Sequence, residues 1–400
     1  MPGVWLDGSD VSGVAVKGSV TKRLNLPWMA SVTLPMDSAI GGPGSRLKVS
    51  LAGGLDFHGF VLDCETDTGE DIGYTVYNAQ DPWELWQWRP ARDDAVSGDP
   101  PGNEGDYSNP NFINFYQYAP QIMEAILTQS EVTGGSPPEV GFGEGPLFLS
   151  FGGFATGGTD MTGAPVDWPM TIAEIAALMT STGRCDIILT PIDSGGNMAQ
   201  IDVYNGDYGS DLSGSVVFQY GTGARNVSRL RVNEDMSNSV NKLRYLLGPR
   251  VGTRDDPPGA QHWEGSVEGE ISPQGADPSG QINARMNASQ AGIGVRSEIK
   301  IFDGRAGLTL AERQLYQQMW AGEAWFRALP RFMAHITPTR GTAIGSFGIG
   351  DIVGVQASSA VRGGFSGGQR VYQFTTQWDD PDGPLYITEL QTSPSQEGLP

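Results

Sequence analysis

One stretch of the chain, DFHGFVLDCETDTGEDIGYTVYNAQDPWELWQWR from Asp56 to Arg89, constrains the fold more than any other. It carries the marks of a strand, a reversal, a second strand and a capped helix, in that order. Residues 57–64 and 72–79 are rich in aromatic and β-branched types with polar residues between them, and Asp67 to Asp71 supplies the Gly and Asp that a reversal needs. The segment is therefore expected to be a hairpin. Asp81 stands at an N-cap, Pro82 suits the first helical position, Glu84 completes a capping box, and Pro90 stops the helix after about two turns. The helix carries Trp83, Trp86 and Trp88, which we expect to pack it onto the β module that it closes.

The length of 400 residues fits two to four domains at roughly 150 residues each. With 56 Gly and 27 Pro the chain should be rich in turns. Lys and Arg total 25 against 46 Asp and Glu, a formal charge of -21, which argues against tight binding to nucleic-acid phosphates or anionic lipid. The same charge suits a channel wall past which DNA slides without sticking. The opening MPGVWLDGSDVSG has no basic or apolar leader pattern and no run of about 18 apolar residues occurs, so neither a standard export signal nor membrane insertion is expected, and the sequons at Asn226 and Asn287 carry no weight.

The fold class expected is mainly β with an α+β middle. Residues 1–92 form an N-terminal β-barrel with its closing helix, built from strands near Val14–Val20, Trp28–Leu34 and Leu47–Leu51 and the hairpin. Residues 93–215 form a loop plus an α+β domain. Within it lie a helix over Ala119–Gln129, a second opened by Thr171 with Glu174 as a capping box, and the strands CDIILTP and MAQIDVY around DSGGN. Residues 216–400 form a second β-barrel with an inserted loop at 248–281 and a helix over 309–329 opened by Thr309 and Glu312. Its strands are expected at Val216–Tyr220, Ser228–Val232, Ser239–Leu247, Arg331–Thr337, Asp351–Gln356, Gln369–Gln377 and Leu385–Leu390.

No catalytic constellation emerges. His58, His262 and His335 lack partners at ligand spacing, and His58 and His335 fall within strand patterns. The glycine runs at 152–158 and 363–368 lack the helix and lysine of a phosphate cradle. Cys64 and Cys185 are expected as two buried thiols. The acidic pairs Asp93–Asp94 and Asp255–Asp256 and the group Asp379, Asp380 and Asp382 fit solvated loops; two such carboxylates are also what a glycan hydrolase needs, and the last group, beside Gly383, offers calcium oxygen ligands without the EF-hand spacing. Exposed tryptophans would suit sugar stacking, and Trp5, Trp168, Trp263 and Trp378 are left unassigned by helix packing. No catalytic, cofactor or metal residue is assigned and no cofactor is expected.

The order of the pieces carries more. A β module ending in a strand, then (A/G)xD, then a short helix with a leucine and an arginine resembles the N-terminal domain of phage tail hub proteins, on Asn78, Ala79, Gln80, Asp81, Leu85 and Arg89. VWLDGSDVSG leading into NLPWMASVTLPMD resembles minor tail proteins of siphophages infecting actinobacteria. GIGDIVGV at Gly348–Val355, followed by QRVYQFTTQWDDPDGPLYITEL, is similar to the second barrel of the hub family. The resemblance covers residues 1–92 and 330–392. It implies a structural, non-enzymatic baseplate hub at the virion tail tip, assembled in the host cytoplasm. The implied form is a homotrimer whose two barrels per subunit make a pseudo-sixfold ring, continuing the tail tube and letting DNA pass without specific binding. The partners it implies are a distal tail protein or tail tube ring, a tape measure protein and other tail tip proteins. A carbohydrate-binding or host-adhesion virion protein is the alternative, and a two-carboxylate glycan hydrolase the third.

Overall fold

The computed structural model describes residues 2–51, 54–68, 73–89, 120, 123, 124, 126, 127, 147–155, 171–181, 185–206, 208–221, 226–237, 239–247, 250, 251, 262, 263, 281–302, 327, 328, 331–340, 345–358 and 365–394. Seven strands come first: β1 (Gly3–Leu6), β2 (Ser9–Asp10), β3 (Lys17–Arg23), β4 (Met29–Pro35), β5 (Arg46–Leu51), β6 (Gly54–Asp67) and β7 (Tyr74–Gln80). Helix α1 (Trp83–Trp88), strand β8 (Leu149–Phe154), helix α2 (Ile172–Ser181) and the hairpin β9 (Asp186–Ser194) and β10 (Asn197–Tyr204) follow. The remainder holds β11 (Val217–Tyr220), β12 (Val227–Asp235), β13 (Lys242–Leu247), β14 (Arg250–Val251), β15 (His262–Trp263), α3 (Gln281–Ile293), β16 (Ser297–Phe302), β17 (Arg331–Pro338), β18 (Ile352–Ala357), β19 (Phe365–Trp378) and β20 (Tyr386–Pro394).

The protein is mainly β, as its strand patterns predict, but the described residues contain no closed barrel. The first and last β regions instead share one 13-stranded sheet, ordered β12-β17-β20-β19-β3-β4-β7-β6-β5-β1-β2, with β18 on β19 and β11 on β18. The shared seam is β19 against β3, in register from Gln373↔Arg23 to Trp378↔Gly18. Strand β19 can serve both sides because it is 14 residues long: its first part pairs with β18, and its second lies between β20 and β3. The middle sheet, β8-β10-β9, is separate. Its β9–β10 turn places Gly195 and Gly196 at φ 63° and 87°, the left-handed pair that a two-residue hairpin turn demands. Strands β13 and β16 pair in parallel with α3 in the crossover between them, and buried Asn241 ties this unit by donating to Gly294 O (2.8 Å) and accepting from Arg296 N (2.7 Å).

Among the described residues, three hydrophobic cores follow from the alternation of buried residues along these strands. The first gathers Leu6, Val20, Val32, Leu34, Phe57 and Tyr77. The second joins α2 to the middle sheet through Ile172, Ile175, Met179, Ile187, Ile201 and Val203, together with Met123, Ile126 and Leu127 of the helix expected over Ala119–Gln129. The third lies under β11, β17, β18 and β20 and includes Phe218, Ile336, Val353, Val355 and Leu390. Each core borrows residues from a neighbour: Trp378 sits in the first, Trp83 and Trp86 in the second, Leu24 and Ile188 in the third. The α1 tryptophans therefore pack on the middle unit, correcting the expectation that they hold the helix to the β module. The Trp83 and Trp86 rings lie 4.5 Å apart, while Trp88 is 76% exposed and donates its indole N–H to Glu84 at 2.8 Å.

That contact also changes the expected cap. Asp81 does hold the start of α1, its carboxylate accepting from Trp83 N at 3.1 Å and Trp28 N at 2.9 Å. Glu84 closes no box, because Asp81 N is spent on Trp28 O. At α2 the box is complete: Thr171 N donates to Glu174 (2.6 Å) and Glu174 N to Thr171 Oγ1 (3.2 Å). The cap at Thr309 and most of the 309–329 helix lie outside the described residues, as do most of 93–146 and 248–281. Strand β3 starts three residues later than Val14, because Val14 N and Ala15 N both turn back to Val11 O.

Two outcomes follow. A Cβ on Gly18 would lie 2.3 Å from the Trp378 ring and 2.7 Å from Ser31 O, so Gly18→Val must expel the indole. We expect it to destabilise by at least the ~1–3 kcal/mol of an overpacked core, and Trp378→Ala by about 3–5 kcal/mol, both read by urea denaturation. Burial pushes the Asp81 carboxyl up to about 7 against the two N–H donors that favour its charge. The native site then holds its proton more tightly than the unfolded chain, so its contribution is full below about pH 4 and is lost as pH rises through about 7. Asp81→Asn should flatten that decline between pH 5 and 8 and cost about 1–3 kcal/mol by opposing its amide to a buried N–H.

Candidate functional site

The three regions meet at a buried ion pair. Asp186 opens β9 and Arg370 lies in β19; their side chains are 4% and 7% exposed, and Arg370 Nη2 donates to Asp186 Oδ2 at 2.6 Å. Burying two charges is unfavourable unless their remaining hydrogen-bonding capacity is met. Here it is met from every side. Asp186 also accepts from Asn25 Nδ2 (2.9 Å) and Tyr208 N (3.0 Å), while Arg370 donates to Tyr208 O (2.7 Å) and Gly350 O (3.2 Å). Asn25, in the β3–β4 turn, holds φ 59° and accepts from Ile187 N at 2.7 Å. Its short amide tolerates the left-handed conformation and places both ends of the side chain on β9.

The loop after β10 and the turn before β18 lie backbone to backbone beside this pair. Gly209 and Gly350 have φ 112° and 82°, and a Cβ on Gly209 would fall 2.3 Å from Gly350 O. Asp351 fastens the contact, accepting from Ser210 N (2.8 Å) and Gly348 N (2.7 Å). The GD turn that carries part of the hub resemblance thus locks the middle unit to the last one. Tyr204 and Tyr208, rings 4.7 Å apart, line the open pocket above it with Ser210 and Ile349. A second contact fixes the far end of β9: His58 Nδ1 lies 2.6 Å from Ile192 O, Lys48 Nζ pairs with Asp193 at 2.5 Å, and Phe148, at φ 56°, sets its ring edge-on to Phe60. Burial holds His58 below the usual imidazole range, so it serves as neutral packing.

The first and third cores lie on one face of the large sheet, since Phe374 of the third core and Trp378 of the first both point the same way along β19. The opposite face is polar and carries cross-strand hydrogen bonds: Thr21 Oγ1 to Thr375 Oγ1 (2.9 Å), Arg23 Nε to Gln373 (3.1 Å) and Asn78 Nδ2 to Asp63 (2.8 Å).

The residues singled out in the sequence are scattered. His335 lies in β17, 3.4 Å from Glu389; His262 lies in β15. Cys185 is buried, but Cys64 is exposed, because β6 runs on beyond the core that its first half covers. Asp379 accepts from Gln377 (2.8 Å) and Tyr386 and faces Arg340, and Asp380 accepts from Asp382 N (2.9 Å), so these acids fasten a hairpin tip. Among the described residues no group of three His, Cys, Asp or Glu could hold a metal ion, and no helix is long and apolar enough to cross a membrane. The pairs Asp93–Asp94 and Asp255–Asp256, and Trp168, lie outside the described residues. Trp5 is half-buried over Gly3, and the Trp263 side chain lies outside the description. Sequence reasoning did not pick out the Asp186–Arg370 pair; the signal was an aspartate at the head of the apolar run CDIIL, a charge that can enter a core only with a partner.

No protein-family model and no curated protein matches the sequence. Solved structures do. The chain is similar to the 43 kDa tail protein of prophage MuSo2 from Shewanella oneidensis, with TM-score 0.58 and 14% identity over 100% of this chain and 99% of that one. It is similar to the tail protein from Neisseria meningitidis MC58 (TM-score 0.53, 11% identity, 98% and 95% covered). It is also similar to prophage tail protein gp18 from Listeria monocytogenes EGD-e (TM-score 0.51, 9% identity, 98% and 92% covered). The structural neighbours are thus phage and prophage tail proteins, and at these identities the likeness is one of fold.

Breaking the ion pair tests its weight. Asp186→Asn and Arg370→Met should each cost about 3–5 kcal/mol, because each strands a buried polar partner. The double variant should lose less than the two added together, by 1 kcal/mol or more. Denaturant midpoints of the four proteins measure this.

Proposed function

We propose that this chain is a structural hub protein of a phage tail tip, acting by assembly and conduit formation without catalysis. The observation that carries the reading is the fold likeness to a tail protein over nearly the whole of both chains. In this reading residues 1–92 and 216–400 supply two barrel-like modules and 93–215 the intermediate unit. Three copies make a pseudo-sixfold ring that continues the tail tube. The two cores on one face of a shared sheet support the pairing of like modules, and the polar opposite face suits a water-filled lumen. The charge of -21 suits DNA passing without specific binding. The partners are a distal tail protein or tube ring, a tape measure protein and other tip proteins. The opening residues, from Val4 to Gly13, further suggest the minor tail proteins of siphophages infecting actinobacteria.

The test is mass and symmetry. Light scattering and negative-stain electron microscopy, on the protein alone and co-expressed with neighbouring tail proteins, should give three copies in a ring with six similar lobes. A monomer in both preparations, with no ring in micrographs, would overturn the reading.

A further inference from the structure

Among the unpaired margins of the 13-stranded sheet in the described residues, two bear side chains of opposite charge: the first half of β12, with Arg229 and Arg231 ahead of Glu234 and Asp235, and the far half of β6, with Asp63, Glu65 and Asp67. One is β12, whose only strand partner there is β17. Leu230 packs toward the third core and Val232 shares its face, so Arg229 and Arg231 stand on the polar face; both are exposed. Among the described residues neither side chain makes an ion pair or hydrogen bond.

The other margin is the far half of β6. Pairing with β5 ends at Phe60 and the last bonds on that side are Val61 N to Ser45 O and Gly44 N to Val61 O, so Leu62 to Asp67 are held only by β7 and are exposed throughout. A bulge after Val61 sets Asp63 opposite Asn78, Glu65 opposite Val76 and Asp67 opposite Tyr74, the row away from core-facing Ala79 and Tyr77. The acids therefore share the polar face with Arg229 and Arg231, at the same two-residue spacing. A bare strand edge invites another strand.

The directions agree as well. Every pairing along β12-β17-β20-β19-β3-β4-β7-β6 is antiparallel, so the eight strands alternate and the two ends run opposite ways. A copy rotated into place can then add its β6 edge antiparallel to β12 of its neighbour with both sets of cores on one side of the joint sheet. We propose that β12 of one copy pairs antiparallel with Leu62–Asp67 of a second copy of this chain, setting Arg229 and Arg231 against Glu65 and Asp67. The contact is head-to-tail, so it generates a ring when the rotation closes. It rests on the ring reading and names its seam.

Charge exchange tests it. Arg229→Glu with Arg231→Glu, and separately Glu65→Lys with Asp67→Lys, should each weaken self-association at least tenfold by analytical ultracentrifugation at low salt. All four side chains are exposed in the single subunit, so the far-UV circular dichroism of the subunit should be unchanged. The four-site exchange, which rebuilds the contact with its charges reversed, should restore the wild-type mass. If wild type forms a three-copy ring that both double variants also form, or if the four-site variant stays as weak as the doubles, the seam is wrong and the hub reading stands. If wild type is a monomer alone and with its neighbours, both fall.

Discussion

The Asp186–Arg370 pair is the interaction on which the arrangement of the three regions depends. Its carboxylate is filled by an arginine from β19, an amide from the β3–β4 turn and a backbone N–H from the loop after β10. The guanidinium returns to that loop and to the turn before β18. A buried charge cannot trade these donors for water, so the geometry of five segments is specified together. Apolar contact fixes how much surface is hidden but is tolerant of direction, whereas five short hydrogen bonds are not. The pair thus sets orientation, and the cores around it supply most of the favourable burial.

The cores reinforce that result by exchanging residues. Trp83 and Trp86 leave the first region for the second core, Leu24 and Ile188 enter the third, and Trp378 returns from the last region to the first. Pulling any two regions apart would therefore open a cavity in at least one of them. A sheet that runs unbroken through β3 and β19 adds a ladder of backbone hydrogen bonds across the same boundary. The boundary between these regions is thus held by side-chain burial and by backbone hydrogen bonds at once.

Local chemistry was legible in the sequence wherever it was self-contained. DSGGN gave the β9–β10 turn because two glycines at positive φ have few alternatives, and Thr171 with Glu174 gave the α2 cap because both partners lie within one turn. Features set by distant partners were not legible. Trp378, left unassigned in the sequence, is accounted for only by Gly18 lying beneath it, and Glu84 fits a capping box by spacing but is drawn off by Trp88. Helix α3, QINARMNASQAGI, was missed because its amides and small residues leave no clear apolar stripe; it is held by Asn241, whose partners lie 48 to 55 residues away. Barrels were expected from strand count, yet closure depends on which edges meet, and short-range pattern is silent about that.

The seating of Trp378 has a consequence for biosynthesis. Its strand meets β3 across a gap of 354 positions, measured at the adjoining Thr21 and Thr375. The first seven strands leave the ribosome long before that indole exists, so the first module waits, with Gly18 bare, until β19 has been made. A chain broken off early would lack both the plug for this core and the strand that covers β3. Completion of the N-terminal module therefore depends on residues encoded more than 350 positions downstream of its own strand β3.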